Sequence, residues 1–453
     1  MSTPRAATAS EAEVPTGSRR AVAVVIGVVF LDLLGFGVVI PVLPFYVRSF
    51  GVSDVFIGLL AASYSLAQFL AAPTLGRLSD RRGRRPVITL SVVVAAVAWT
   101  VFGLAAEVEA VAGTTAALAT LFASRTLAGA AGGNIAAAQA YVADVTPRER
   151  RAGALGLVGA AFSLGFVFGP ALGGVAASDP VVAAAREFLP SFVPATRFSL
   201  PSFLAAGLSV SAAVAATVVL REPERTRPAA ERVSLVGQFR SALADADLRP
   251  LVTAFFLVSL AFAGIQVMFI PFAADFYGYD ATGAALFLTY IGVLGTVNQG
   301  VLVGRLERRL GAVSLALAGG VSLAAALALL PFSPDVGRLL PAVGGPAWLT
   351  GGLVALLFAG FLLSFGNGAL SVSLSTLVST RASDETQGAA FGVTQGAGSL
   401  GRTVGPPLAG VAYVLAYWSP FVAGAVVLLP VLAWLAAERR RGAGSADRGP
   451  PSE

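Results

Sequence analysis

The chain has 453 residues, 56% hydrophobic and 12% charged, with a net charge of +6. A soluble domain carries about 25% charge, so this sequence has too little polar surface to cover a soluble particle, and an integral membrane protein is the default. All 31 cationic side chains are Arg, and Lys, His and Cys are absent; this excludes disulfides, thiolate and imidazole chemistry, a Schiff-base lysine and a nucleotide-binding loop whose Lys reaches phosphate.

Residues 1–20 form a polar tail. Spans of mostly apolar residues, each long enough for the roughly 20-residue membrane crossing, then follow at 21–46, 55–76, 87–106, 115–142, 152–177, 200–220, 251–274, 283–304, 312–332, 347–378, 387–413 and 417–436. The first has no small-residue cleavage site and reads as a retained helix. The polar stretch 221–250 divides the spans into bundles at 21–220 and 251–437, and reads as a linker with a short amphipathic helix around 233–244. The segment 178–199 reads as a loop, and 438–453 as a second tail.

The Arg residues test this count. With alternating spans, 25 of the 31 fall in segments on the side of the termini, four fall on the other side, and Arg125 and Arg402 lie within spans. That asymmetry predicts both termini in the cytoplasm of a multi-pass protein of the cell (plasma or inner) membrane. The Arg residues are scattered over many loops, so the charge gives no reason to expect nucleic acid.

The halves repeat each other. Gly76-Arg-Leu78-Ser-Asp80-Arg81-Arg-Gly83 after span two matches Gly304-Arg-Leu306-Glu-Arg308-Arg309-Leu-Gly311 after span eight, at an offset of 228. Gly156, Gly165, Gly169-Pro170 and Gly174 in span five return as Gly392, Gly401, Gly405-Pro406 and Gly410 at an offset of 236. The expected architecture is all-α: twelve transmembrane helices in two pseudo-symmetric six-helix bundles, with a site where the bundles meet. In the loop after span two, Gly83 permits a tight reversal, Asp80 can face an Arg or a helix N-terminus, and Arg84, Arg85 and Pro86 open the next helix. The glycines of span five clear one face for a neighbouring backbone, and Pro170 allows a bend.

An ionisable group at mid-bilayer costs roughly 2.5–3.5 kcal/mol on insertion scales and is functional by default. Asp32 lies 12 residues past Arg20, about 18 Å along a helix. No other acid sits as deep in a span. Arg125 lies in the middle of span four.

The loop at Gly76–Pro86 resembles motif A of the major facilitator superfamily. Leu121-x-x-x-Arg125-x-x-Ala128-Gly129 resembles motif B, with Ala128 where Gln is common. Gly156-x8-Gly165-x3-Gly169-Pro170-x2-Gly173-Gly174 resembles the antiporter signature, motif C. Leu31-Asp32-x-x-Gly35-Phe-Gly37-x-x-x-Pro41 and Tyr141-Val-Ala-Asp144 are similar to the twelve-helix drug:proton antiporters, tetracycline-efflux proteins especially. The resemblance covers roughly residues 20–437. It implies that spans one, four, seven and ten line the cavity, so that Asp32 and Arg125 approach each other. It also implies a conformational switch of Gly76, Asp80, Arg81, Gly83, Arg84, Arg85 and Asp144, in which Asp80, Arg84 and Asp144 form a charge cluster that locks the cytoplasmic side in the outward-open state. The second copy departs from motif A at Arg308.

Proton-coupled efflux of small amphipathic or hydrophobic compounds is therefore the expected function, with Asp32 as proton site and Arg125 tuning it. Asn134, Gln139, Gln266 and Asn367 are the candidate substrate contacts. Phe36, Tyr64 and Tyr290 could offer faces to an amphipathic cation, but a core role is the first expectation for each. The expected partners are a small-molecule substrate, protons and the lipid bilayer. No cofactor or metal is expected beyond the proton gradient, and the chain is expected to be a monomer and not an enzyme. Two alternatives stay open: a proton-coupled uptake symporter, and a non-transporting membrane sensor on the same fold.

Overall fold

The structure, a computed structural model, describes residues 16–222, 243–341, 348–382 and 387–446, together with residues 237, 240 and 346. All regular structure among the described residues is helical. That follows from the sequence: in hydrocarbon the backbone must satisfy its own hydrogen bonds, and a helix does so within one segment.

Twelve long helices coincide with the twelve expected spans. The first six are α1 (Thr16–Val39), α2 (Val55–Arg82), α3 (Arg84–Gly103), α4 (Ala105–Val145), α5 (Arg148–Ala176) and α6 (Ser199–Val219). The second six are α7 (Leu248–Tyr277), α8 (Ala281–Leu310), α9 (Ala312–Leu339), α10 (Gly351–Arg381), α11 (Gln387–Leu415) and α12 (Ser419–Ala446). Eleven of them are long and apolar enough to cross a membrane. The exception is α11, where Gly, Ser, Gln395, Arg402 and Pro406-Pro407 dilute the apolar residues. This helix is packed between α7 and α2, and its Gly401, Gly405 and Gly410 are buried against them.

Local departures from the expected boundaries have local causes. Pro41 interrupts α1, and a short helix over Leu43–Ser49 continues it. The chain of α4 begins ten residues earlier than expected, bends at Gly113 (φ 82°, ψ 170°) and turns again at 132–133. The segment read as a loop at 178–199 holds a helix over Asp179–Phe188 with Pro180 in its first turn, tied back by an Arg197–Asp179 ion pair at 2.8 Å. A π-helical segment, Asn298–Val303, interrupts α8. Most of the linker 221–250, including most of the amphipathic helix expected at 233–244, most of the first tail and the end of the second beyond Ala446 lie outside the described residues.

The repeated glycines build the seams. A Cβ on Gly165 would sit 2.8 Å from Leu33 Cβ, one on Gly169 2.6 Å from Gly37 Cα, and one on Gly173 2.1 Å from the carbonyl oxygen of Val38. These three press α5 onto α1. Gly174 turns the other way, against Ala285 and Thr282 of α8. In the second bundle Gly401 and Gly405 press α11 onto Phe256, Leu260 and Ala263 of α7, while Gly410 meets Val55 of α2. The duplicated pattern thus yields two equivalent pairs of contacts: α5 with α1 and α8, and α11 with α7 and α2. Within each pair, one contact lies inside a bundle and the other joins the bundles.

Candidate functional site

The deepest charges gather in the first bundle. A glycine-rich stretch of α4 makes this possible. A Cβ on Gly129 would lie 2.2 Å from the carbonyl oxygen of Tyr64, so only glycine lets α4 lie this close to α2. Gln68 Nε2 donates to the carbonyl of Gly132 at 3.2 Å where α4 turns. The turn brings Asn134, which is buried, to Asp32: Nδ2 donates to the carboxylate at 3.4 Å.

Arg125 is buried at 6% exposure. Its guanidinium carbon lies 4.6 Å from the Tyr64 ring centroid, 5.6 Å from Phe36 and 5.7 Å from Trp99. Each such contact contributes about 0.5–2 kcal/mol, the upper end applying to desolvated sites. Asp32 and Arg125 belong to one cluster, but they form no ion pair. Phe36, one turn beyond Asp32 on α1, packs on the guanidinium, and Asp32 finds its partner in an amide. Arg125 Nε has no hydrogen-bond partner. Arg402 of α11 donates to Ser399 Oγ at 2.9 Å and lies within electrostatic range of Tyr64. Tyr290, by contrast, donates its hydroxyl to the Leu357 carbonyl at 3.0 Å.

The two bundles share an uncharged cavity of about 270 Å³, where α5 of the first meets α7, α8 and α10 of the second. Gln299, Asn367, Ser364 and Thr296 supply polar groups, and Phe162, Phe166 and Phe262 supply rings. The π-helical segment places Gln299 here, beside Gly368, and puts Asn298 within 3.4 Å of Ser364 Oγ. Asn367 is thus in the cavity wall. Gln139 and Gln266 are both exposed and outside that wall, Gln266 lying one turn beyond Phe262 on α7. Sequence reasoning passed over Gln299; a polar Asn-Gln-Gly triplet inside an apolar span was the available signal.

At the Arg-rich end, Gly83 closes α2 at φ 116°, a conformation costly for any residue with a Cβ. Arg84 then binds Asp80, donates to Asp144 at 3.0 Å and reaches Ser79 at 3.2 Å. Both carboxylate oxygens of Glu222 accept from the free amides of α3, from Arg84 N at 2.7 Å and Arg85 N at 3.0 Å. Arg85 donates to the Thr217 carbonyl at 2.6 Å. Arg81 is exposed, and a Cβ on Gly76 would meet nothing within 4 Å. Glu222, far along the chain after α6, carried no sequence signal for this role.

At the opposite end Arg48 bridges the bundles. It donates to Asp54 at 2.8 and 2.7 Å and to Asp275 at 2.7 and 2.9 Å; Tyr413 donates to Asp275 at 2.8 Å. On the Arg-rich side the facing helices part: a Cβ on Gly76, Gly156, Gly300 or Gly392 would find no neighbour within 4 Å. Gly156, the first glycine of motif C, therefore packs against nothing in this state.

Two duplicated bundles, latched at one end and parted at the other, with an acid inside a spanning helix and an uncharged cavity where they meet, have the architecture of a membrane transporter. The profile of the Major Facilitator Superfamily matches residues 25–348, and the chain belongs to that superfamily. It is a multi-pass membrane transporter and not an enzyme. It is 30% identical over 438 residues to the class C tetracycline resistance protein of Escherichia coli, covering 94% of this chain and 98% of the relative. It is 28% identical over 407 residues to multidrug resistance protein 1 of Bacillus subtilis (strain 168), covering 88% and 91%. Among solved structures, the human organic anion transporter MFSD10 (TETRAN) aligns with 93% of this chain and 100% of its own at TM-score 0.62 and 25% identity. A bacterial homolog of the human lysosomal transporter Spinster, inward-facing and unoccupied, aligns with 96% and 99% at TM-score 0.72 and 16% identity.

Proposed function

We propose that the protein is a proton-driven exporter of small amphipathic or hydrophobic compounds, exchanging cargo for protons through the space between its bundles. The observation that carries this reading is the Asp32–Asn134 pair. Asp32 is an acid in the interior of a spanning helix, held by a neutral amide rather than by an ion pair. A carboxylate so placed can take up and release a proton as the bundles tip, with no partner cation to pull away. Arg125, fixed among three rings, supplies a positive field without neutralising the acid. The uncharged cavity at Gln299 and Asn367 suits a cargo with apolar rings and a hydrogen-bonding edge. Tetracycline and multidrug resistance relatives over most of the chain support efflux as the direction.

In this reading the Arg-rich end faces the cytoplasm of the cell membrane, both termini lie inside, and the parted helices describe an inward-open state. A monomer, with no cofactor beyond the proton gradient, suffices. The test is transport of tetracycline and of a fluorescent amphipathic dye into everted vesicles. Accumulation that an inward acidification drives, and a protonophore collapses, is the expected result. Accumulation in right-side-out vesicles driven by an acidified exterior would instead identify an uptake symporter, and no transport of any compound would favour a sensor.

A further inference from the structure

α1 and α5 touch closely where Gly37 meets Gly169, and they separate toward the Arg-rich end. No large side chain fills the space between them: Ala23 and Gly27 on α1 and Ala154 and Ala161 on α5 line it, and a Cβ on Gly27 would meet nothing within 4 Å. The gap is a groove of about 700 Å³, nearly all apolar, walled by Phe30 and Leu164 at its deep end. It lies on the outside of the bundle. Asp32 and Phe36 point from the other face of α1, and Leu157 and Leu164 are 54% and 41% exposed.

The groove has a polar head. Thr146, Pro147 and Arg150 close its Arg-rich end, where α5 begins without a side-chain cap. The first amides of a helix lie at the positive end of its dipole and suit an anion; here Arg150 N already donates to the Pro147 carbonyl at 3.1 Å, which leaves the amides before it. Thr146 is only 9% exposed, and its hydroxyl has no hydrogen-bond partner. Arg150 is exposed and makes no ion pair among the described residues. A buried hydroxyl without a partner costs stability unless something outside the chain satisfies it.

We propose that this groove is a binding site for one anionic phospholipid, its phosphate held by Arg150, the Thr146 hydroxyl and the α5 amides, and an acyl chain lying between α1 and α5. The occupant is a lipid rather than a free anion because the polar head opens directly into an apolar channel along the bilayer. An anionic headgroup is favoured over a zwitterionic one because, among the described residues, no acidic side chain lines the groove to balance a choline. The site is separate from the cargo cavity and does not depend on which way cargo moves.

The test uses the full-length protein stripped of lipid in detergent and titrated with dioleoyl phosphatidylglycerol or dioleoyl phosphatidylcholine, with retained lipids counted by native mass spectrometry. Wild type should retain one phosphatidylglycerol per chain, with a preference of about fivefold, the magnitude expected of one Arg near a lipid headgroup. Arg150→Gln should abolish the preference, and Gly27→Leu, which fills the groove, should abolish retention. Both variants should unfold at the wild-type temperature in lipid-free detergent, which separates a lost site from a misfolded chain. Equal retention of the two lipids by wild type would overturn the proposal. So would wild-type retention by the two variants, or displacement of the lipid by millimolar inorganic phosphate, which would make the site one for a free anion.

Discussion

Arg48 and Asp275 face each other across the two bundles, at 2.7 and 2.9 Å, although 227 residues separate them in sequence. Arg48 belongs to the extension of α1 and Asp275 to the last turn of α7, so this pair exists only while the Arg-poor end is closed. Opening that end must break it, and closing the other end must supply a replacement of similar strength.

The first prediction concerns that latch. Arg48 and Asp275 are 26% and 42% exposed at their side chains, so solvent screens them and the pair contributes about 0.2–1 kcal/mol. Asp275→Asn should therefore shift the balance toward the outward-open state by up to about fivefold. Because the chain has no Cys, two introduced cysteines at the Arg-poor end can be spin-labelled without background. Pulsed dipolar distances should gain a longer component in the variant, and unchanged distances would mean that the latch holds nothing.

Asp32→Asn tests the coupling directly. The amide keeps the shape and can still meet Asn134, but it cannot carry a proton. Uphill transport should vanish while exchange of labelled for unlabelled cargo at equal pH persists. Loss of both activities would assign Asp32 to cargo binding or to folding.

The seams give a contrast between glycines that share one motif. Gly173→Ala drives a Cβ into the Val38 carbonyl and Gly405→Ala into Ala263, so each should cost about 1–3 kcal/mol of strain. Gly156→Ala and Gly392→Ala meet open space and should stabilise their helices by about 0.5–1 kcal/mol. Thermal unfolding in detergent should rank the four in that order. Transport by the Gly156 variant need not follow its stability, since that glycine can be required in the opposite state.

Glu222→Ala removes the carboxylate that caps α3. Loss of one such cap costs about 0.5–2 kcal/mol, and the unfolding midpoint should fall accordingly. Glu222→Gln should recover part of it, because one amide oxygen still accepts from Arg84 N.

Gln299→Leu and Asn367→Leu leave the cavity's volume nearly unchanged while removing its polar edge. Susceptibility to cargo carrying hydrogen-bonding groups should rise several-fold in a host lacking its own pumps, at a cost per lost bond of about 0.5–1.5 kcal/mol. Purely apolar cargo should be exported as before. A uniform loss across all compounds would show that the residues support the fold rather than select cargo.

The number of helices, their division into two related bundles and the depth of Asp32 and Arg125 are legible in the sequence, because a bilayer reads composition and length directly. A run of about 20 apolar residues must become a helix, and repeated glycines in register must serve equivalent seams. Other features needed the tertiary structure. Asp32 meets Asn134 rather than Arg125 because glycines at 129 and 132 let α4 lie against α2 and Phe36 packs on the guanidinium. Glu222 caps α3, and Arg48 reaches Asp275, across separations that no local pattern encodes. Gln299 enters the cavity through a π-helical turn that hydropathy cannot register. Composition fixed which side chains would have to be buried; only the packing of helices on helices decided which of them would be partners.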